Sequence, residues 1–170
     1  THRGGFEQSY LPQMIFSSRN NKIAFAVGGN VNMRVGYDFM GVVNNRDFIT
    51  ADIPIPGSYD TRQKLMMDAS TSTIYFKAVA NNSMLGRVVA MFEADFRGGS
   101  NGYTPRVRLA YVSMYGFTFG RDVTTFCDLN SSPQTIDFEG PNSYTIGYST
   151  MIRYSRTFGN HFSMGIAAEM

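Results

Sequence analysis

The sequence predicts an all-β chain folded as an antiparallel transmembrane β-barrel, and three observations carry that prediction. The first is composition: 170 residues include 14 Phe and 10 Tyr but only five Leu. Residues that fill helices best are scarce, whereas Tyr, Phe, Val and Thr, which favour strands, are common. The second is an apolar residue at every second position in seven segments, the period of a strand with two unlike faces. The third is the alternation of long and short connections, which gathers the long ones at one end of the sheet. That is the layout of a membrane barrel with strands of about 10 residues. The longest apolar runs, residues 23–27 (IAFAV) and 88–92 (VVAMF), are five residues long, far below the roughly 18 that a membrane-spanning helix needs.

Lys22 to Asp38 opens the barrel, with Ile23, Phe25, Val27, Val31, Met33, Val35 and Tyr37 at odd positions and Asn30, Asn32 and Arg34 among the even ones. Leu65 to Val79 follows, where Ile74, Phe76 and Ala78 oppose Thr71, Thr73, Tyr75 and Lys77. From Arg87 to Phe96 the apolar face is Val88, Ala90, Phe92, Ala94 and Phe96, opposite Arg87, Glu93 and Asp95. From Arg106 to Ser113 the alternation places Val107, Leu109 and Tyr111 on one side, with Arg106 and Arg108 on the other. Shorter segments at Phe117 to Gly120, Thr150 to Ser155 and His161 to Glu169 complete seven strands. Long connections run from Phe39 to Gln63 and from Phe126 to Tyr144, with a medium one from Arg97 to Pro105. The others are tight, at Asn81 to Ser83, Tyr115-Gly116 and Gly159-Asn160. The chain opens on Thr1 and closes on Glu169-Met170 inside an expected strand, so it reads as a piece of a longer protein. Residues 1–21 are expected to form an N-terminal, periplasmic extension, and 22–170 an incomplete barrel.

Fifteen Lys and Arg against 13 Asp and Glu leave a net charge of +2, too balanced for a nucleic-acid-binding surface. The polar face points inward on this reading. It carries Gly, Ala, Asn, Ser, Glu and Arg, and the chain has 12 Arg to 3 Lys; Arg suits a confined space because its fork pairs carboxylates bidentately. The wall-lining candidates are Arg34, Lys77, Arg87, Glu93, Asp95, Arg106, Arg108 and Arg153. Adding Asp38 and Glu169 leaves six cations facing four anions, a small positive excess. Tyr37, Phe76, Phe96, Tyr111, Phe117 and Phe158 stand near strand ends, where interfacial aromatic girdles form. Alternation alone does not say which face is wet. A soluble ligand-binding barrel or sandwich and a structural or adhesive surface β-protein remain as alternatives.

No catalytic centre, cofactor or metal is expected. Glu93 and Asp95 share a face, the minimal arrangement for glycoside hydrolysis. A hairpin folded about residues 98–102 instead sets Asp95 opposite Arg106 and Glu93 opposite Arg108, which keeps both carboxylates ionised and leaves no proton donor. Asp128, Asn130, Ser132 and Glu139 match positions of a calcium loop, but the required Gly is replaced by Pro133. The single cysteine, Cys127, has no neighbouring His and excludes an internal disulfide. Phosphate-loop, paired-cysteine and nucleophile-elbow motifs are absent.

The run FEADF at 92–96, a glycine-rich turn, RVRLAY at 106–111 and GRDVTTFCDLNSSPQTIDFEGP at 120–141 together resemble the DcaP-like porins of Gram-negative outer membranes. The resemblance covers roughly residues 65–170. Arg121 stands where that family often has Gln, Val123 where it has Trp, and Ser70 and Thr73 where it tends to place Arg, so anion preference is less marked here. It implies a porin-like barrel of about twice as many strands, homotrimeric, embedded in outer-membrane lipid and passing small hydrophilic solutes. It also implies that the loop after residue 126 folds inward and narrows the passage, making Arg121, Asp122, Asp128, Asp137 and Glu139 the constriction candidates.

Overall fold

The computed structural model describes residues 14–18, 22–41, 49, 51, 53–55, 62–82, 84, 86–99, 102–127, 146–159 and 162–170. Among the described residues there are ten strands: β1 (Met14–Ser17), β2 (Ile23–Asn30), β3 (Arg34–Asp38), β4 (Lys64–Asp68), β5 (Thr73–Asn82), β6 (Gly86–Gly98), β7 (Thr104–Met114), β8 (Phe117–Val123), β9 (Tyr148–Phe158) and β10 (Phe162–Glu169). Among the described residues there is no α-helix, and so none long and apolar enough to cross a membrane.

Eight strands form one antiparallel sheet in the order β1-β2-β5-β6-β7-β8-β9-β10. Apart from β2 and β5, neighbours in the sheet are neighbours in the chain, joined as hairpins. The sheet is open, as a portion of a barrel wall is. Short connections fall at one end and long ones at the other, as the sequence implied.

Three expectations change. The segment from Lys22 to Asp38 is two strands, because its alternation continues past Asn30 while its pairing partner changes. β2 pairs with β5, and β3 pairs with β4 as a separate two-stranded ribbon between them. Leu65 to Val79 divides in the same way, so seven expected strands become nine, and β1 is a tenth. The expected boundary at residue 21 is also crossed, because Met14–Ser17 pairs antiparallel with β2, Met14 opposite Val27 and Phe16 opposite Phe25. The third change concerns β7. Phe92 opposes Ala110 and Glu93 opposes Leu109, but Ala94 opposes Val107, so Arg108 is an extra residue in a β-bulge. One extra residue flips every side chain beyond it. Leu109 and Tyr111 therefore share the polar face with Arg106 and Arg108, and Val107, Ala110 and Val112 take the apolar face.

That apolar face carries Phe25, Phe76, Phe92, Phe119 and Ile152, all exposed. A shallow depression on it, with a floor of Ala78, Ala90 and Ala110, is rimmed by Phe25, Phe76, Phe92, Val112 and Phe119. The rings form a ladder across strands, Phe25 to Phe76 and Phe76 to Phe92 each at 6.2 Å between centroids. The buried residues of the sheet, such as Asp95, Arg108, Leu109, Asp122 and Met151, belong to the other face. It is inverted relative to a water-soluble protein.

Gly120 fixes how closely β7 and β8 approach. Its φ is 123°, and a Cβ there would meet the Ala110 carbonyl oxygen and come within 2.9 Å of Tyr111 Cα. Both are backbone atoms that cannot swing aside. Gly120→Ala in the full-length protein is expected to lower unfolding stability by about 1–3 kcal/mol, read as the denaturant midpoint after refolding. An unchanged midpoint would show that the backbone at residue 120 adjusts without cost.

Candidate functional site

The polar face concentrates its charge where β6, β7 and β9 come together. Asp95 stands directly opposite Arg106 in the β6–β7 register. Arg106 donates to it twice, Nε to Oδ1 at 3.0 Å and Nη2 to Oδ2 at 2.5 Å, the two-pronged geometry of a guanidinium on a carboxylate. The backbone NH of Arg97 donates to the same Oδ1 at 3.1 Å. Asp95 retains 2% of its exposure, and a carboxylate this dry is tolerable only when its lone pairs are taken up in this way.

Arg108 binds the two acids together. Carried by the bulge residue, its guanidinium reaches Glu93 at 3.2 Å and lies 3.8 Å from Asp95. Its Nε also donates to the Tyr148 hydroxyl at 3.0 Å, its Nη2 bonds the same oxygen, and the guanidinium lies 5.3 Å from the centroid of the Tyr148 ring. Arg108 is 5% exposed. A second buried pair stands beside it: Asp122 of β8, 1% exposed, is bound by Arg153 of β9, whose Nη1 also donates to the Val123 carbonyl at 3.2 Å.

These contacts sit at the base of the long connection between β8 and β9. Thr124 NH donates to the Gly147 carbonyl at 2.9 Å, closing the neck of the loop. On the entry side Thr125 NH donates to Glu169 Oε1 at 2.8 Å, and on the exit side Ser149 Oγ donates to Oε2 of the same carboxylate at 3.1 Å. Tyr148, one residue past the neck, is then held on the polar face by Arg108.

The candidates separate accordingly. Glu93, Asp95, Arg106 and Arg108 form one cluster, and Arg153 joins Asp122 in the second. Lys77 of β5, opposite Met91, and Arg87 at the start of β6 are on the polar face and exposed. Arg34 is not on the main sheet; it belongs to the β3–β4 ribbon, where it faces Asp68 at 3.8 Å. Arg121 and Asp122 are strand residues of β8 rather than loop residues. Arg121, opposite Ala110 and Thr150, takes the register of the apolar face. Asp128, Asp137 and Glu139 lie outside the described residues. Tyr148 was not singled out from the sequence, and its signal was positional only: a phenol at the first residue of a strand that follows a long loop. Among the described residues, no group of three or more His, Cys, Asp or Glu is placed to hold a metal ion.

A family model for DcaP outer membrane proteins matches residues 11–169. The chain belongs to the DcaP outer membrane protein family. Its location is therefore the bacterial outer membrane, and the sheet is part of a porin-like transmembrane barrel. The crystal structure of the outer membrane channel DcaP of Acinetobacter baumannii is similar in fold, with a TM-score of 0.71 at 22% identity. The similarity covers 91% of this chain and 43% of that one, so the chain spans less than half the length of that channel. No protein with a curated description matches. Family membership explains the inverted faces, since the apolar face of an outer-membrane barrel meets hydrocarbon.

Asp95→Asn in the full-length protein is expected to cost about 3 kcal/mol, because it takes the counter-charge from Arg106 and leaves the buried Arg108 with Glu93 alone. Combining it with Arg106→Gln should recover part of that loss in a double-mutant cycle of urea unfolding. Strictly additive losses would mean that the two side chains act independently.

Proposed function

We propose that the full-length protein is a passive outer-membrane channel for small hydrophilic solutes. The observation that carries this reading is the segregation of the two faces. Phe92 at 40% exposure and Ile152 at 56% lie on one, and the paired charges Glu93, Asp95, Arg106, Arg108, Asp122 and Arg153 on the other. A soluble ligand-binding barrel would bury those rings, and a pore-free adhesin has no use for a charged interior. Selection then follows from the width of the water-filled interior and the field inside it, without chemistry on the solute.

Most of the wall charge is internally compensated. Arg106 offsets Asp95, Arg108 offsets Glu93 and Arg153 offsets Asp122. Lys77 and Arg87 are exposed cations on the same face, Glu169 is an exposed anion, and a mild anion preference results, screened beyond about 8–10 Å at physiological salt. The loop between β8 and β9 narrows the passage in this reading, its acids Asp128, Asp137 and Glu139 set against the arginines of the wall. Support comes from its neck, which Arg108 and Tyr148 hold on the polar face. The assembly is a homotrimer, to be read from the mass of the detergent-solubilised complex.

Two measurements test the channel. In a Cys127→Ser background, a charged, bulky thiol reagent should modify Lys77→Cys and reduce single-channel conductance. It should neither modify Phe92→Cys nor change its conductance. Reaction at Phe92→Cys with none at Lys77→Cys would mean that the apolar face is the wet one. Shortening the loop between Asp128 and Glu139 should raise conductance and relax the solute size limit, and the reversal potential in a salt gradient should show weak anion preference. Unchanged conductance in a folded deletion would move the constriction elsewhere, and clear cation preference would refute the charge reading.

A further inference from the structure

Arg156 is a cation on the wrong face. In β9 the apolar register runs through Ile152, Tyr154, Arg156 and Phe158, and across the strand pair Arg156 stands opposite Met164 while Phe158 stands opposite Phe162. Arg156 is exposed. Among the described residues no carboxylate pairs with it; its contact is the Phe158 ring, with the guanidinium 5.3 Å from the ring centroid. Aromatic rings border it along the strand. Tyr154 packs on Phe117 at 4.7 Å and Phe158 on Phe162 at 6.0 Å between centroids.

Its height in the wall is informative. Arg156 is two residues from the end of β9, about 7 Å along a strand, at the end where the connections are short. Short turns of such barrels face the periplasm. A cation on the lipid face is costly at mid-membrane and nearly neutral at the interface, where its stem lies along apolar surface and its head reaches polar groups. The short connections at this end, residues 18–22, 82–86, 114–117 and 158–162, carry Arg19 and Lys22 and no Asp or Glu. The acids of the described residues, Asp38, Asp68, Glu93, Asp95, Asp122 and Glu169, sit in the ribbon or toward the long-loop end of the sheet. An exposed guanidinium, bordered by rings of the kind that settle at the headgroup level and set in an acid-free rim, lacks only an anion.

We infer that Arg156, with the Phe158 ring beneath it, is a binding site for the phosphodiester headgroup of a glycerophospholipid in the periplasmic leaflet. The fork of Arg156 donates to two phosphate oxygens, and the acyl chains lie along Ile152, Ile166 and the neighbouring apolar face. Because Arg156 is on the face opposite the charged wall, this site is independent of conduction.

The test is native mass spectrometry of the full-length protein in detergent, titrated with phosphatidylglycerol. Arg156→Gln is expected to weaken lipid retention about fivefold, the effect of one interfacial cation. Arg156→Lys, which keeps the charge but not the fork, and Phe158→Leu should each fall between wild type and Arg156→Gln, and single-channel conductance should be the same in all three. Retention by Arg156→Gln equal to wild type overturns the site. Displacement of bound lipid by millimolar inorganic phosphate would make it a simple anion site, and selective loss of lipopolysaccharide instead of phosphatidylglycerol would place Arg156 in the outer leaflet; either overturns the proposal. Dissociation of the assembly on Arg156→Gln, with lipid retention unaltered, would assign the face to a neighbouring copy of the chain.

Discussion

A carboxylate stripped of nearly all its water has to find positive charge on the strands beside it, and Asp95 imposes that requirement on β7. Arg106 answers it directly across the β6–β7 pair. Arg108 answers it by leaving the regular ladder, since the extra residue lets its guanidinium lie between Glu93 and Asp95. The same guanidinium then has a further side to satisfy, and Tyr148 of β9 supplies the hydroxyl and the ring. The bulge, the position of Leu109 and the seating of the loop exit thus follow from burying one acid. Asp122 and Arg153 repeat the solution one strand further on, so the wall is stiffened by pairs that do not depend on hydrocarbon.

The opposite face obeys a different constraint. Hydrocarbon offers no hydrogen bonds, so Phe25, Phe76, Phe92 and Phe119 stand out from the sheet while the paired charges of the wall are turned the other way. Between the rings, Ala78, Ala90 and Ala110 leave a shallow trough, since small residues there cost nothing in a solvent of flexible chains. Gly120 belongs to the same economy of space: it lets β8 lie close against the Ala110–Tyr111 backbone of β7.

Much of this was legible before any coordinates. Alternation identified the main strands, loop lengths oriented the sheet, and the symmetry of the hairpin about residues 98–102 placed Asp95 opposite Arg106. The ion pair of Glu93 with Arg108 was also legible, but not the register, in which Glu93 stands opposite Leu109, nor therefore the side of Leu109. RVRLAY alternates as well with a bulge as without one, and no Gly or Pro marks it; only the demand of the buried acids selects the irregular form. Periodicity was equally blind to the break after Asn30. Odd positions stay apolar from Ile23 to Tyr37 although the pairing partner changes from β5 to β4, because alternation reports a face and never a neighbour. Met14–Ser17 was missed for a simpler reason, being too short for a period to show. Tyr148 was invisible because its role comes from a residue forty positions away.

The β3–β4 ribbon has a bearing on how such a chain changes over generations. Ser72 pins its base, its hydroxyl accepting from Asn32 NH at 3.1 Å and donating to the Ala69 carbonyl at 2.8 Å. Beyond that clasp none of its rungs belongs to the eight-stranded sheet. A residue gained or lost in the wall shifts every side chain after it to the other face, whereas one gained or lost in the ribbon stops at the clasp. Met33, Val35, Tyr37, Leu65 and Met67 are exposed there, at the end of the sheet that points away from the periplasm. The surface at that end of the sheet can therefore vary in length and sequence while the wall beneath keeps its register.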